Sequence, residues 1–154
     1  ELELRRVVRY GGTLSIFMMD VDHFKKINDT HGHKVGDLVL QKLAEICRDT
    51  LRMVDIIGRV GGEEFAILLP ETTEQEAIRV AERLRQAIAD AKISLGHGLP
   101  LSITVSIGIT SLMSKDDNID VLLSFADKAL YAAKNAGRNR IFNIQDRIGS
   151  LVSQ

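Results

Sequence analysis

The sequence predicts an α+β fold, a mixed β-sheet covered by helices in a ferredoxin-like sandwich. Three observations lead there. Thr13 to Met19 (TLSIFMM) is a short, strongly apolar, β-prone run of the kind found in buried strands. Ile56-Ile57 and Phe65 to Leu69 flank Gly61-Gly62, which reads as an antiparallel hairpin with a glycine turn. Between and after these strands the chain carries helical periodicity, so strands and helices alternate along it.

In chain order, Glu1 to Arg9 reads as the end of a charged helix, and the Thr13–Met19 strand delivers Asp20 at its carboxyl end. A short helix is expected from His23 to Asp29, broken over Thr30-His31-Gly32-His33. Val35 to Leu51 is helical through Leu38/Val39, Leu43 and Ile46/Cys47. The hairpin runs from Asp55 to Leu69, and Pro70 closes it. Thr72 or Thr73 caps the next helix, with Glu74 and Glu76 in the first turn, where the helix dipole favours acids. That helix is the clearest in the chain: Ala77, Ala81, Leu84, Ile88 and Ala91 form one stripe, while Glu76, Arg79, Arg83, Gln86 and Asp90 face away. Ser94 to Pro100 is a Gly-rich turn, Leu101 to Thr110 a strand, and Asn118 to Lys134 a last helix with Gly137 near its C-cap. Arg140 to Ile144 is a final strand. Residues 1–145 thus make one domain and 146–154 a tail without clear pattern.

Length and composition narrow the function classes. With 154 residues the chain buries enough apolar surface to fold without a disulfide or structural metal. Its 20 basic and 21 acidic residues nearly balance, which argues against a dedicated nucleic-acid or membrane-surface binder. No apolar run approaches a membrane span and no signal peptide is visible. The single cysteine, Cys47, rules out an internal disulfide, fits a reducing compartment and falls on an apolar helix stripe, so it reads as a buried hydrophobe. Glu1 in place of an initiator methionine suggests a fragment lacking an upstream domain.

The chemistry gathers around Arg59-Val60-Gly61-Gly62-Glu63-Glu64-Phe65. Two carboxylates at a hairpin tip are suited to a hard cation, and glycines let a backbone approach a polyphosphate. Read alone, the same letters also describe an ordinary solvated turn. Asp20-Val21-Asp22 ends the first strand, and residues i and i+2 of an extended chain point the same way, so both carboxylates can face one site. An EF-hand is excluded: Lys25 stands where the loop needs glycine, and no third acidic ligand follows. Mg²⁺ fits better, because it takes one or two carboxylates and accepts substrate phosphates. Glu63 and Glu64 point opposite ways in an extended segment, so only one readily joins Asp20. Lys134 and Arg138 share a face at the end of the last helix. With Lys25 they supply cations for a triphosphate, although each alone also reads as a solvated surface charge.

Five motifs in order resemble the GGDEF family of diguanylate cyclases: D-x-D-x-F-K-x-x-N-D at Asp20 to Asp29, G-H-x-x-G-D at Gly32 to Asp37, R-x-G-G-E-E-F at Arg59 to Phe65, S-I-G-I-T at Ser106 to Thr110, and A-D-x-A-L-Y-x-A-K-x-x-G-R-N at Ala126 to Asn139. The resemblance implies a palm-type sheet like that of nucleotidyl cyclases and the condensation of two GTP into cyclic di-GMP with release of pyrophosphate. It implies two Mg²⁺ (or Mn²⁺) per active site, held by Asp20, Glu63 and the Val21 carbonyl. Glu64 and Lys25 join Glu63 as catalytic candidates, the part played by Glu64 staying open between base and metal support. It assigns Asn28 and Asp37 to guanine, and Phe24, Lys25, Gly61, Gly62, Lys134 and Arg138 to the phosphates. Relatives that accept ATP tend to lack an acid at the Asp37 position, so GTP is expected.

The resemblance further implies a product-inhibitory site at Arg52 and Asp55 (R-x-x-D), with Arg83 as its additional arginine. On its own, R-x-x-D reads equally as a capping or surface ion pair. The family's D-x-L-T-x-L-x-N-R segment is absent, which is expected to weaken metal or phosphate binding. A homodimer is expected, since each domain holds one GTP and the product is two-fold symmetric. So are an N-terminal sensory domain outside this fragment and a cytoplasmic setting, free or as the cytoplasmic part of a membrane-bound sensor. The competing readings are a catalytically silent cyclic di-GMP sensor and a palm-type polymerase or single-nucleotide cyclase. The intact signature disfavours the first and the missing basic channel the second.

Overall fold

The computed structural model describes residues 11–112 and 117–145, together with Leu2, Arg5, Arg6 and Arg9. The expected first helix falls largely outside the described residues, and the tail falls outside them entirely. In chain order the elements are β1 (Leu14–Val21), α1 (Phe24–His31), α2 (His33–Thr50), β2 (Ile56–Arg59), β3 (Glu64–Pro70), α3 (Glu74–Asp90), β4 (Val105–Ser111), α4 (Ile119–Asn135) and β5 (Ile141–Asn143). The strands form one open mixed sheet in the order β2-β3-β1-β4-β5. The β4–β5 pair is parallel and the other three are antiparallel. This is the expected α+β architecture.

β1 lies at the centre, and all eight of its residues are buried because helices cover both faces. Phe17, Met19 and Val21 point to one face, packed by Val39, Leu43 and Cys47 of α2 and by Ala77, Ala81, Leu84 and Ile88 of α3. Leu14, Ile16 and Met18 point to the other, against Leu122, Ala126 and Leu130 of α4. Gly108 on β4 permits that second contact: a Cβ there would lie 2.2 Å from both the Ala126 carbonyl oxygen and the Leu130 nitrogen. Cys47 is fully buried, and burial pushes its thiol up to about 12, in keeping with an inert hydrophobe.

The boundaries shift where side chains capture the backbone. Thr73, not Thr72, caps α3. Its hydroxyl accepts from the Glu76 N–H and the Glu76 carboxylate accepts from the Thr73 N–H, a complete capping box. The strand expected from Leu101 begins only at Val105. Leu101 pairs instead with Ile93 in an isolated bridge, and the Thr104 carbonyl accepts from the Asp22 N–H. Gly32 alone separates α1 from α2, so both helices run further than the expected break allowed.

Candidate active site

The carboxyl end of β1 meets the hairpin tip. In the β1–β3 register Asp20 stands opposite Glu64, so their side chains are cross-strand neighbours on the α4 face. Glu63 lies at the turn, where its carbonyl accepts from the Val21 N–H at 3.4 Å. Lys134, in the last turn of α4, donates to Asp20 Oδ2. The other oxygen, Oδ1, is buried without a hydrogen-bond partner.

The electrostatics follow from this crowding. Burial, the largest influence, raises the Asp20 carboxyl above the usual range, Lys134 pulls it back, and Glu63 and Asp22 push it up again. Glu64 is also raised, first by burial and then by the charges of Asp20 and Asp127. Both hairpin glutamates therefore lie within electrostatic reach of Asp20, a closer grouping than side-chain alternation suggests. An orphaned buried carboxylate oxygen beside further acids fits a hard cation. Among the described residues, however, no three His, Cys, Asp or Glu side chains are arranged to hold an ion by themselves.

Asp22 lies on the Asp20 side, as the i, i+2 spacing predicts: it reaches Ser106, which stands opposite Asp20, and its charge is felt by Asp20, but its oxygens are taken up by protein donors. Its Oδ1 accepts from Ser106 Oγ at 2.7 Å, and its Oδ2 accepts from Thr104 Oγ1 at 2.7 Å and from the Asn139 N–H at 2.9 Å. Three donors on a buried carboxylate leave it a structural brace. Ser106 was visible within S-I-G-I-T, but nothing in its spacing announced a partner 84 residues away.

The expected guanine residues come together where α1 packs on α2. Gly36 is buried against Asn28: a Cβ there would stand 1.9 Å from Asn28 Oδ1, which is itself buried and without a hydrogen-bond partner. Asp37, the next residue, is exposed and lines a cavity of about 400 Å³ with Gln41, Arg59 and Phe65. Phe24 is half-buried against the core, while Lys25, Gly61 and Gly62 are exposed. Arg59 Nε donates to the carbonyls of Gly61 (3.1 Å) and Gly62 (3.0 Å), which ties the glycine turn back onto β2. Arg138 is exposed just past α4.

Arg52 and Asp55 form the ion pair their spacing allows. Arg52 Nη2 donates to Asp55 Oδ1 at 2.9 Å, to the Pro70 carbonyl at 2.9 Å and to Thr72 Oγ1 at 2.8 Å. The Asp55 side chain is 1% exposed and that of Arg52 is 51% exposed. The pair thus latches the α2–β2 connection to the end of β3. Arg52 also lines a cavity of about 420 Å³ with Arg79 and Arg83.

Comparison with known proteins decides the family. The profile described as "Diguanylate cyclase, GGDEF domain" matches residues 1–140. The chain belongs to the GGDEF-domain diguanylate cyclase family. It is 46% identical over 141 residues to the diguanylate cyclase DgcP of Pseudomonas aeruginosa, covering 92% of this chain and 21% of that protein. The structure of an active GGEEF domain of a Vibrio cholerae diguanylate cyclase superposes with a TM-score of 0.86 at 36% identity, covering 93% of this chain and 90% of that one. The GGDEF domain of DgcB from Caulobacter crescentus, in complex with c-di-GMP, gives 0.88 at 29% identity, covering 94% of this chain and 85% of that one. This GGDEF chain spans between a fifth and about a third of the length of curated relatives it matches. Among the described residues no helix is long and apolar enough to cross a membrane.

Proposed function

We propose that this GGDEF domain condenses two GTP into cyclic di-GMP as a homodimer, each copy holding one nucleotide. The observation that carries this reading is the meeting of Asp20, Lys134 and the Gly-Gly-Glu-Glu hairpin at one end of the sheet. Asp20, Glu63 and the Val21 carbonyl would hold Mg²⁺ or Mn²⁺. Bound there, divalent ions would polarise the α-phosphate and neutralise charge on the leaving pyrophosphate.

The protein's own groups do the rest. Asn28 and Asp37 orient guanine, Asp37 accepting from its N1–H and exocyclic amine. Phe24, Lys25, the Gly61-Gly62 backbone, Lys134 and Arg138 position the phosphates. The ribose 3′-hydroxyl of one GTP attacks the α-phosphorus of the other, a P–O bond forms and pyrophosphate departs; the same step in the opposite sense closes the ring. Glu64 receives the hydroxyl proton, a role supported by a carboxyl that burial and Asp20 raise above the usual range. Arg52, Asp55 and Arg83 bind product and slow the enzyme, a reading supported by the cavity that Arg52, Arg79 and Arg83 line together with Glu71 and Glu76.

Incubation with GTP and Mg²⁺ followed by chromatography tests the proposal. Cyclic di-GMP that disappears in Glu63→Ala is the expected result. Tight cyclic di-GMP binding without turnover would instead favour a silent sensor, which the intact signature argues against.

A further inference from the structure

The loop after α4 is held in an unusual backbone conformation. Gly137, Arg138 and Asn139 have φ of 121°, 63° and 45°, three consecutive residues in the left-handed region, two of them not glycine. Such a run persists only where its surroundings determine it. The Arg138 N–H donates to the Ala133 carbonyl at 3.1 Å, which secures the start. Asn139 secures the end from two directions. Its N–H donates to Asp22 Oδ2, and its Oδ1 accepts from Arg85 Nη1 at 2.7 Å.

Arg85 belongs to α3, on the opposite face of the sheet from α4, and is 54 residues from Asn139. Its side chain is only 14% exposed. Nε donates to Glu82 Oε2 at 2.9 Å, and Nη2 donates to Glu82 Oε1 and, at 3.1 Å, to Gln86 Oε1. Gln86 in turn donates to Asp90 at 2.9 Å. The guanidinium is therefore fixed on its own helix before it reaches the loop. A plain Glu–Arg surface pair would leave Nη1 in water; here Nη1 reaches a distant left-handed asparagine.

We propose that Arg85 is a positioning residue for phosphate recognition: through Asn139 it fixes the loop that presents the Arg138 guanidinium to the substrate's phosphates. Asp22 holds the same residue from the metal side of the site, two positions from Asp20. Arg138 is thereby registered against Asp20 by one bond from each face of the sheet. The inference rests on the reading of Arg138 as a phosphate contact.

The test compares Arg85→Ala, Asn139→Gly and the double variant, with Arg138→Ala as reference. Asn139→Gly keeps a residue that tolerates positive φ while removing the acceptor, so it serves if Arg85→Ala does not fold. Affinities are measured with Mg²⁺ for a GTP analogue carrying a methylene between the α- and β-phosphorus, and for GMP. Each single variant should weaken the analogue roughly tenfold and GMP less than about twofold, and the double variant should be no worse than either. In the nucleotide-free protein, exchange of the Asn139 amide should quicken in Arg85→Ala. Equal losses for analogue and GMP, multiplying effects in the double variant, or unchanged Asn139 exchange would overturn the proposal. If Arg138→Ala leaves the analogue's affinity unchanged, the phosphate role of Arg138 falls and this inference with it. Quickened Asn139 exchange would then show that the Arg85–Asn139 bond holds the loop without serving phosphate.

Discussion

Lys134 donates to Asp20 across the end of the sheet, so a residue expected to hold phosphate is paired with one expected to hold metal. In the absence of nucleotide, ammonium and cation compete for the same carboxylate. Replacing Lys134 by Met should therefore tighten binding of bare Mn²⁺ by roughly three- to tenfold, as one positive charge leaves the site. The same variant should lose at least about tenfold in cyclic di-GMP formation, because the triphosphate loses a charge-assisted donor. Titration of Mn²⁺ by electron paramagnetic resonance, set beside product chromatography, checks both; weaker Mn²⁺ binding would contradict the competition.

Glu64 gives a pH-dependent signature. Its folded carboxyl is raised by burial and by Asp20. A raised acid favours folding below its unfolded pKa, and that contribution is lost as pH rises through the folded value. Ionisation of Glu64 is thus a liability in the nucleotide-free protein. Glu64→Gln should raise Tm by about 1–2 °C at pH 7, with the advantage vanishing below about pH 4. Calorimetry across that range decides it, and a Tm gain equally large in acid would remove the electrostatic explanation. The same variant should turn over GTP far more slowly.

Much of this was legible in the sequence because it depends on local pattern. Apolar runs gave β1 and β3, one amphipathic stripe gave α3, and glycines located the hairpin. The chemical residues were legible where neighbours along the chain are neighbours in space, as in Gly61 to Glu64. Long-range capture was not. Asp22 looked equivalent to Asp20, and only the fold brings Thr104, Ser106 and Asn139 onto it. Likewise nothing in the helix pattern singled out Arg85, and its bond to Asn139 depends on how α3 and the loop after α4 meet. Leu101 to Thr104 has strand-like composition but spends its hydrogen bonds on Ile93 and Asp22.

The brace at Asp22 should be costly to remove. Asp22→Ala leaves Thr104 Oγ1, Ser106 Oγ and the Asn139 N–H short of an acceptor, at least two of them in buried or half-buried surroundings. Urea unfolding should show a loss of about 2–4 kcal/mol. A loss under about 0.5 kcal/mol, the range of ordinary surface substitutions, would show that water replaces the carboxylate freely.

For product control, Arg83 offers a cleaner test than Arg52. Arg52→Ala breaks the latch to Asp55, Pro70 and Thr72, so it should raise product yield while lowering stability by about 1–2 kcal/mol. Arg83 donates only a 3.2 Å bond to the Thr50 carbonyl among the contacts resolved for it, yet lines the same cavity. Arg83→Ala should therefore relieve inhibition at nearly unchanged stability. Early stalling at the parent's product concentration in both variants would exclude this cavity as the inhibitory site.

Guanine selection should depend on the Asn28–Gly36–Asp37 corner. Asp37→Ser removes the acceptor proposed for the N1–H and amine edge of guanine, an edge adenine lacks, and should cut the preference for GTP over ATP by roughly tenfold or more. Gly36→Ala acts from behind: its Cβ would fall 1.9 Å from Asn28 Oδ1, so Asn28 must move. That variant should raise KM for GTP several-fold at little cost in stability, because the displaced atom is the end of a side chain and alanine suits the helix better than glycine does. Competition between GTP and ATP in product assays, with urea unfolding alongside, separates the two effects. Selectivity unchanged in Asp37→Ser would take Asp37 out of base recognition, and GTP binding unchanged in a stable Gly36→Ala would do the same for Asn28.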